Sequence, residues 1–158
     1  AGGANAQATC GTNVISALAP TRNIDAHTEK LREAFARNSD DLYLSVVTAA
    51  EIHGGIAKLL REGATNKAST IRAWWATIEH LYGDRILPLD LKAAHTAGLL
   101  LDQARSQSHT PDFADVCIAA TAMSNEIIIL SRNLRHFRPL TIACVDPFDP
   151  AFVPPDGQ

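Results

Sequence analysis

Two carboxylates and one carboxamide in this 158-residue chain stand where side chains can do chemistry: Glu51, Asp115 and Asn133. Glu51 falls one turn into a helical stretch that follows a short apolar run, near the carboxyl edge of a strand. The same stretch, Thr48-Ala49-Ala50-Glu51, also reads as a capping box, with Glu51 bonding back to the Thr48 amide. Asp115 shares a helix face with Ile118, Ala119 and Ala122, and a carboxylate on an apolar face needs a partner or a cation. Asp112, one turn earlier, reads as a solvated first-turn acid. Asn133 follows the apolar run Ile127 to Leu130, either closing that strand as a turn or offering a neutral oxygen. Carboxylates within about 4–6 Å of one another hold protons more tightly unless a cation binds between them. A cluster of this kind suits Mg²⁺, which prefers oxygen ligands and keeps several waters. An ion held this way activates water and neutralises charge on an attacked phosphodiester. No Ser-His-Asp order, phosphate-binding loop or dinucleotide fingerprint supports a rival chemistry. The six histidines show no regular ligand spacing and read as surface or core.

Alternating helical and strand patterns must position these groups. Asn13 to Leu18 predicts a short helix stopped by Pro20, and Ile24 to Asn38 a charged helix. Leu42 to Val47 reads as a buried strand, and Thr48 to Arg61 as a helix closed by Gly63. The adjacent Gly54 and Gly55 imply a close backbone approach, since helical glycine costs about 1 kcal/mol relative to alanine. Ile71, Trp74, Trp75, Ile78 and Leu81 form one apolar stripe, with the tryptophans in the core or at an interface. Ile86 to Leu89 reads as a strand, and Asp90 caps a helix from Leu91 to Arg105. Pro111 takes a first-turn position of the helix that runs to Ser124. Ile127 to Leu130 and Thr141 to Val145 complete the strands. This alternation predicts an α/β protein, a three-layer α/β/α domain with a mainly parallel central sheet. Sites in such folds form at the carboxyl ends of the strands. Residues 1–7 read as a disordered or appended head, 8–145 as the domain, and 146–158 as an irregular, loosely attached tail rich in proline.

Three segments sharpen the chemistry. They are Gly11-Thr12-Asn13-Val14-Ile15-Ser16, Ser45-Val46-Val47-Thr48-Ala49-Ala50-Glu51-Ile52, and Asp115-Val116-Cys117-Ile118-Ala119-Ala120-Thr121-Ala122. With Leu130-Ser131-Arg132-Asn133-Leu134-Arg135-His136-Phe137, they resemble the PIN-domain endoribonucleases, in particular the VapC and FitB toxins of toxin–antitoxin pairs. The resemblance covers about residues 8–145 and implies a PIN-like fold. It implies that Glu51 and Asp115 are catalytic, and that Glu51, Asp115 and Asn133 bind Mg²⁺ or Mn²⁺. Thr12, Asn13, Ser131 and Arg132 would support them. Thr12 would cap the short helix, Asn13 would orient the acidic cluster, and Ser131 would hold a water at the ion. The implied substrate is RNA, and the implied partners are a cognate antitoxin and a second copy of the chain. The departure is Gly11, where the family carries a metal-ligating Asp. Losing that charge predicts a fall in metal affinity and turnover. The alternative is an inactive PIN domain that binds RNA or antitoxin.

Composition bounds both readings. Hydrophobic residues make up 46% of the chain, enough for a globular core. The net charge of −3 argues against a protein that coats nucleic acid, but an enzyme that engages a few phosphates need not be basic. Three cysteines, Cys10, Cys117 and Cys144, are odd in number and far apart, which speaks against a disulfide framework or a zinc site and suits a reducing cytoplasm. No apolar run reaches the roughly 20 residues needed to span a bilayer, so no membrane partner is expected. The N-terminal residues lack the pattern of a signal peptide.

Overall fold

The computed structural model describes residues 7–152. Most of the expected head, and the last six residues of the expected tail, lie outside them. Five short strands form the centre: β1 (Ala8–Cys10), β2 (Leu42–Ser45), β3 (Ile86–Leu87), β4 (Ile128–Leu130) and β5 (Cys144–Val145). Their order is β3-β2-β1-β4-β5, and every pairing is parallel. The helices are α1 (Thr12–Ala17), α2 (Ala26–Arg37), α3 (Val46–Arg61), α4 (Thr65–Tyr82), α5 (Leu91–Ser106), α6 (Phe113–Ser124) and α7 (Leu134–Phe137). This is the expected three-layer α/β/α domain.

Strand residues alternate between two cores because successive side chains point to opposite faces. Leu42, Leu44 and Leu130 join Val14, Leu31, Phe35, Ile52 and Trp75 on the side of α1 to α4. Tyr43 and Ile129 turn the other way, to Leu100, Val116, Ile118 and Phe137 beneath α5 and α6. Trp75 is therefore core, with Trp74 packed beside it and Leu81 left exposed at the end of the stripe. Helix α6 is buried from Val116 through Ala122, so its face is not one apolar stripe but nearly the whole cylinder.

Four local expectations are corrected. Ser45 caps α3 by accepting the Val47 amide at 3.1 Å, so Val46 and Val47 open the helix instead of ending the strand. Thr48 then lies inside the first turn, and the capping box to Glu51 does not form. A Cβ added at Gly54 or Gly55 would meet nothing within 4 Å, so neither glycine serves a close approach. Asp112, not a free first-turn acid, is the cap of α6 and accepts the Ala114 amide at 3.3 Å, which places Pro111 outside the helix. Asp25 and Asp90 cap α2 and α5 through the Thr28 and Ala93 amides.

At the two ends, Gln7 already accepts the Ile128 amide at 3.2 Å. The stretch 146–152 is irregular yet anchored, with Phe148 and Phe152 packed on the first core. Among the described residues no helix is long and apolar enough to cross a membrane.

Candidate active site

In this strand order β1 leads on to β2 on one side, while β4, its neighbour on the other side, leads on to β5 in the opposite direction. The carboxyl ends of β1 and β4 therefore border a crevice of the kind that hosts ligands in parallel sheets. Gly11 to Asn13 follow β1, the start of α3 follows β2, and Ser131 to Asn133 follow β4. Helix α6 leads back into β4, so its N-terminal turn, with Asp115, lies at the same edge.

The Glu51 side is built from hydroxyls. Thr12 Oγ1 lies 2.6 Å from Glu51 Oε1 and 3.0 Å from Thr48 Oγ1. The single Thr12 hydrogen goes to the carboxylate, leaving the Thr12 oxygen to accept from the buried Thr48 hydroxyl. Thr12 thus does not cap α1, whose cap position is Gly11 with no side-chain bond. A cleft of about 320 Å³ opens beside Glu51, walled by Ile52, Ile56, Leu59, Ile71 and Trp74.

The loop after β4 is tied to the same helix. Asn13 Nδ2 donates to Ser131 Oγ at 3.2 Å, and the Asn133 amide donates to that oxygen at 3.0 Å. Ser131 is fully buried, so its hydroxyl shapes the loop and is engaged by these two groups. Asn133 is exposed, and its side chain caps nothing. The Arg132 guanidinium stacks 4.7 Å from the centre of the Phe148 ring, which braces the loop from outside.

Gly11 sits between these parts. Its amide donates to Leu130 O at 2.8 Å, and its φ of −63° is open to any residue. A Cβ there would lie 3.1 Å from Leu130 O and 3.3 Å from Asn13 Oδ1. A side chain at this point therefore requires β1 and the loop after β4 to part by a few tenths of an ångström. Cys10 is no substitute ligand, because burial pushes its thiol up to about 12 and keeps it protonated.

The Asp115 side is built from charge. Its carboxylate, 23% exposed, lies 3.2 Å from His136 Nδ1 on α7. Desolvation raises the Asp115 pKa above the ordinary carboxylate range, His136 opposes the rise, and Asp112 adds to it. His136 is the functional neighbour that histidine spacing did not reveal. Its only signal was its place in the Leu130–Phe137 segment.

Hydrogen bonds thus join Glu51, Thr12 and Thr48 in one group and Asn13, Ser131 and the Asn133 amide in another, and the two groups meet at the Thr12–Asn13 peptide, while Asp115 reaches the same loop through α7. Helices α3 and α6 pack on one another. Among the described residues no three His, Cys, Asp or Glu side chains cluster. The donors that the edge does offer, two carboxylates and one amide oxygen, are all of the hard type that Mg²⁺ and Mn²⁺ accept.

Comparison with known proteins agrees with this fold. The PIN domain profile matches residues 10–139. The chain is 32% identical over 146 residues to VapC ribonuclease Y4jK of Sinorhizobium fredii, covering 89% of this chain and 96% of that one. It is 29% identical over 109 residues to toxin FitB of Neisseria gonorrhoeae, covering 69% and 77%. The crystal structure of FitAcB from N. gonorrhoeae superposes with a TM-score of 0.76 at 28% identity, covering 90% of this chain and 99% of that one. This protein belongs to the PIN-domain family, in its VapC/FitB branch.

Proposed function

We propose that this protein is a metal-dependent endoribonuclease toxin of a toxin–antitoxin pair, with turnover reduced by Gly11. One observation carries the reading: a tethered Glu51 and a partly buried Asp115 share one sheet edge, in a chain similar throughout to a VapC ribonuclease. Mg²⁺ or Mn²⁺ would be held by Glu51 and Asp115, with the Asn133 side-chain oxygen as a neutral donor. When bound, the ion supplies water activation and charge neutralisation at the phosphodiester. The chain does the rest. Thr12 fixes the direction of Glu51, Asn13 and Ser131 fix the loop carrying Asn133, and His136 holds Asp115. The cleft at Glu51 is the groove offered to the antitoxin, whose apolar side chains would cover Trp74 and Ile71.

The protein is proposed to act as a homodimer. Helix α5 exposes Leu91 and Leu99 on one face, 72% and 74% accessible, and α6 exposes Phe113 at 62%. A specific dimer would bury on the order of 1,000 Å² or more. Sedimentation should give about twice 17.0 kDa, and a monomer mass at micromolar concentration would refute it.

A second reading is favoured by Gly11 itself. The tight approach of Leu130 O and Asn13 Oδ1 suits a protein that needs no side chain there, as in an inactive domain that only binds RNA or antitoxin. The Gly11→Asp variant separates the two. Assayed on a structured RNA with Mg²⁺, with Mn²⁺ and with chelator, it should gain at least about tenfold, or ~1.4 kcal/mol of transition-state stabilisation. Equal activity in both proteins would refute the ligand assignment at position 11. Two inert proteins, with Mg²⁺ bound by the variant, would favour the binding module.

A further inference from the structure

A second cleft, of about 350 Å³, opens beside Asp115, between Pro111 and Pro139, and His109, Asp112, Arg135 and His136 line it. We propose that this cleft holds a backbone phosphate of the RNA strand next to the one that is cut, with Arg135 as the main anchor and His109 as a further donor. The inference rests on the nuclease reading of the Asp115 site.

Three features support it. First, the charges in the cleft are available to a ligand. Among the described residues Arg135 has no acidic partner, whereas Arg132 on the same segment is stacked on Phe148. The one acid in the cleft, Asp112, is turned to the Ala114 amide.

Second, the backbone fixes the histidine opposite. Helix α5 ends with the His109 amide donating to Ala104 O and the Ser108 amide donating to Arg105 O, each at 2.9 Å. Ser108 takes φ 61°, a left-handed conformation usually given to glycine at this point. That turn presents His109 across the cleft from α7.

Third, the site needs a counterweight. Glu51 and Asp115 repel a polyanion, and the whole chain carries −3. An arginine fork donates to phosphate oxygens in pairs. A phosphate gripped close to the acidic edge would hold the strand in register with the reacting group.

The test uses the full chain and a fluorescein-labelled single-stranded oligoribonucleotide in chelator, with binding read by anisotropy over a range of KCl. Arg135→Ala should weaken binding about tenfold. It should also flatten the slope of log K against log salt by about 0.7, the share of one single-strand phosphate. Arg135→Lys should keep the slope. Arg138→Ala, an equal charge loss on the same segment but outside the cleft, should stay within about twofold of the unmodified protein. Calorimetry should show unchanged Mn²⁺ binding in Arg135→Ala. If Arg135→Ala and Arg138→Ala weaken binding equally, or Arg135→Ala not at all, the cleft is no subsite and the nuclease reading stands. If the unmodified protein binds no RNA, the nuclease reading falls and takes this inference with it.

Discussion

The two carboxylates of this site stand in opposite surroundings. Glu51 is held by a neutral hydroxyl chain and borders a groove of isoleucine, leucine and tryptophan that Lys58, Glu62 and Lys67 also line. Asp115 is held by a histidine and borders a cleft of imidazole and guanidinium. Apolar walls reward a partner that brings apolar side chains, whereas cationic walls reward a phosphate. On the proposed reading, the contrast assigns the Glu51 side to a protein partner and the Asp115 side to a nucleic acid. It also divides the ways in which a carboxylate can be kept in place. A hydroxyl network orients without adding charge, and a histidine opposes the rise in pKa that burial imposes on its carboxylate.

The strongest way to break this comparison is to remove each carboxylate in the Gly11→Asp background. Asp115→Ala and Glu51→Ala should each lower chelator-sensitive RNA cleavage by about 100-fold or more, roughly 2.7 kcal/mol. A loss confined to one of them, in a rate assay at saturating Mg²⁺, would show that the two sides do not serve one centre.

Next in size is the hydroxyl network. Thr12→Val leaves Glu51 without its 2.6 Å donor and the buried Thr48 hydroxyl without its partner, and a buried polar group left unpaired costs about 1–3 kcal/mol. Thermal unfolding should move down by several degrees, since ~1 kcal/mol shifts a domain of this size by about 2–4 °C. His136→Asn should cost less, because His136 is 45% exposed and solvent-screened pairs contribute about 0–1 kcal/mol. Reversal of that order in calorimetry would mean that the Asp115 side, not the Glu51 side, carries the stability of the edge.

The smallest effect sharpens the electrostatic half. Desolvation raises the Asp115 pKa in the folded protein. Folding therefore favours the protonated form, and the charged form is a cost at neutral pH. That cost fades as pH falls through the folded pKa toward the unfolded value of about 3.9. Asp115→Asn should raise the melting temperature at pH 7 and lose this advantage near pH 4. Equal gains at both pH values would show that the substitution acts through packing.

The layers and the Asp90 cap were legible in the residues, and so was the segment list that carries the family resemblance. The roles of individual side chains were less so. Val46 and Val47 are β-branched and extend the apolar run of β2, so by pattern alone they read as two more strand residues and put the cap at Thr48. That shift made Glu51 look locally satisfied when its partner is Thr12, 39 residues earlier. His136 escaped notice because ligand spacing is judged along one element, and its partner Asp115 is on another, 21 residues away. The pair Gly54 and Gly55 suggested contact, yet both face open space.

By itself the sequence determined what nearest neighbours along the chain decide. Asp25 and Asp90 cap their helices because the amide they accept is three residues away, and the apolar run at Ile128–Leu130 becomes a covered strand whatever its neighbours. Only the tertiary structure decided which polar groups meet at the edge. Asn13 and Ser131 are 118 residues apart. They touch because the sheet places β1 between β2 and β4, an order set by burying two cores at once rather than by any local preference. The same placement brings Leu130 O against Gly11, so the room for a side chain at position 11 is a property of the packed sheet.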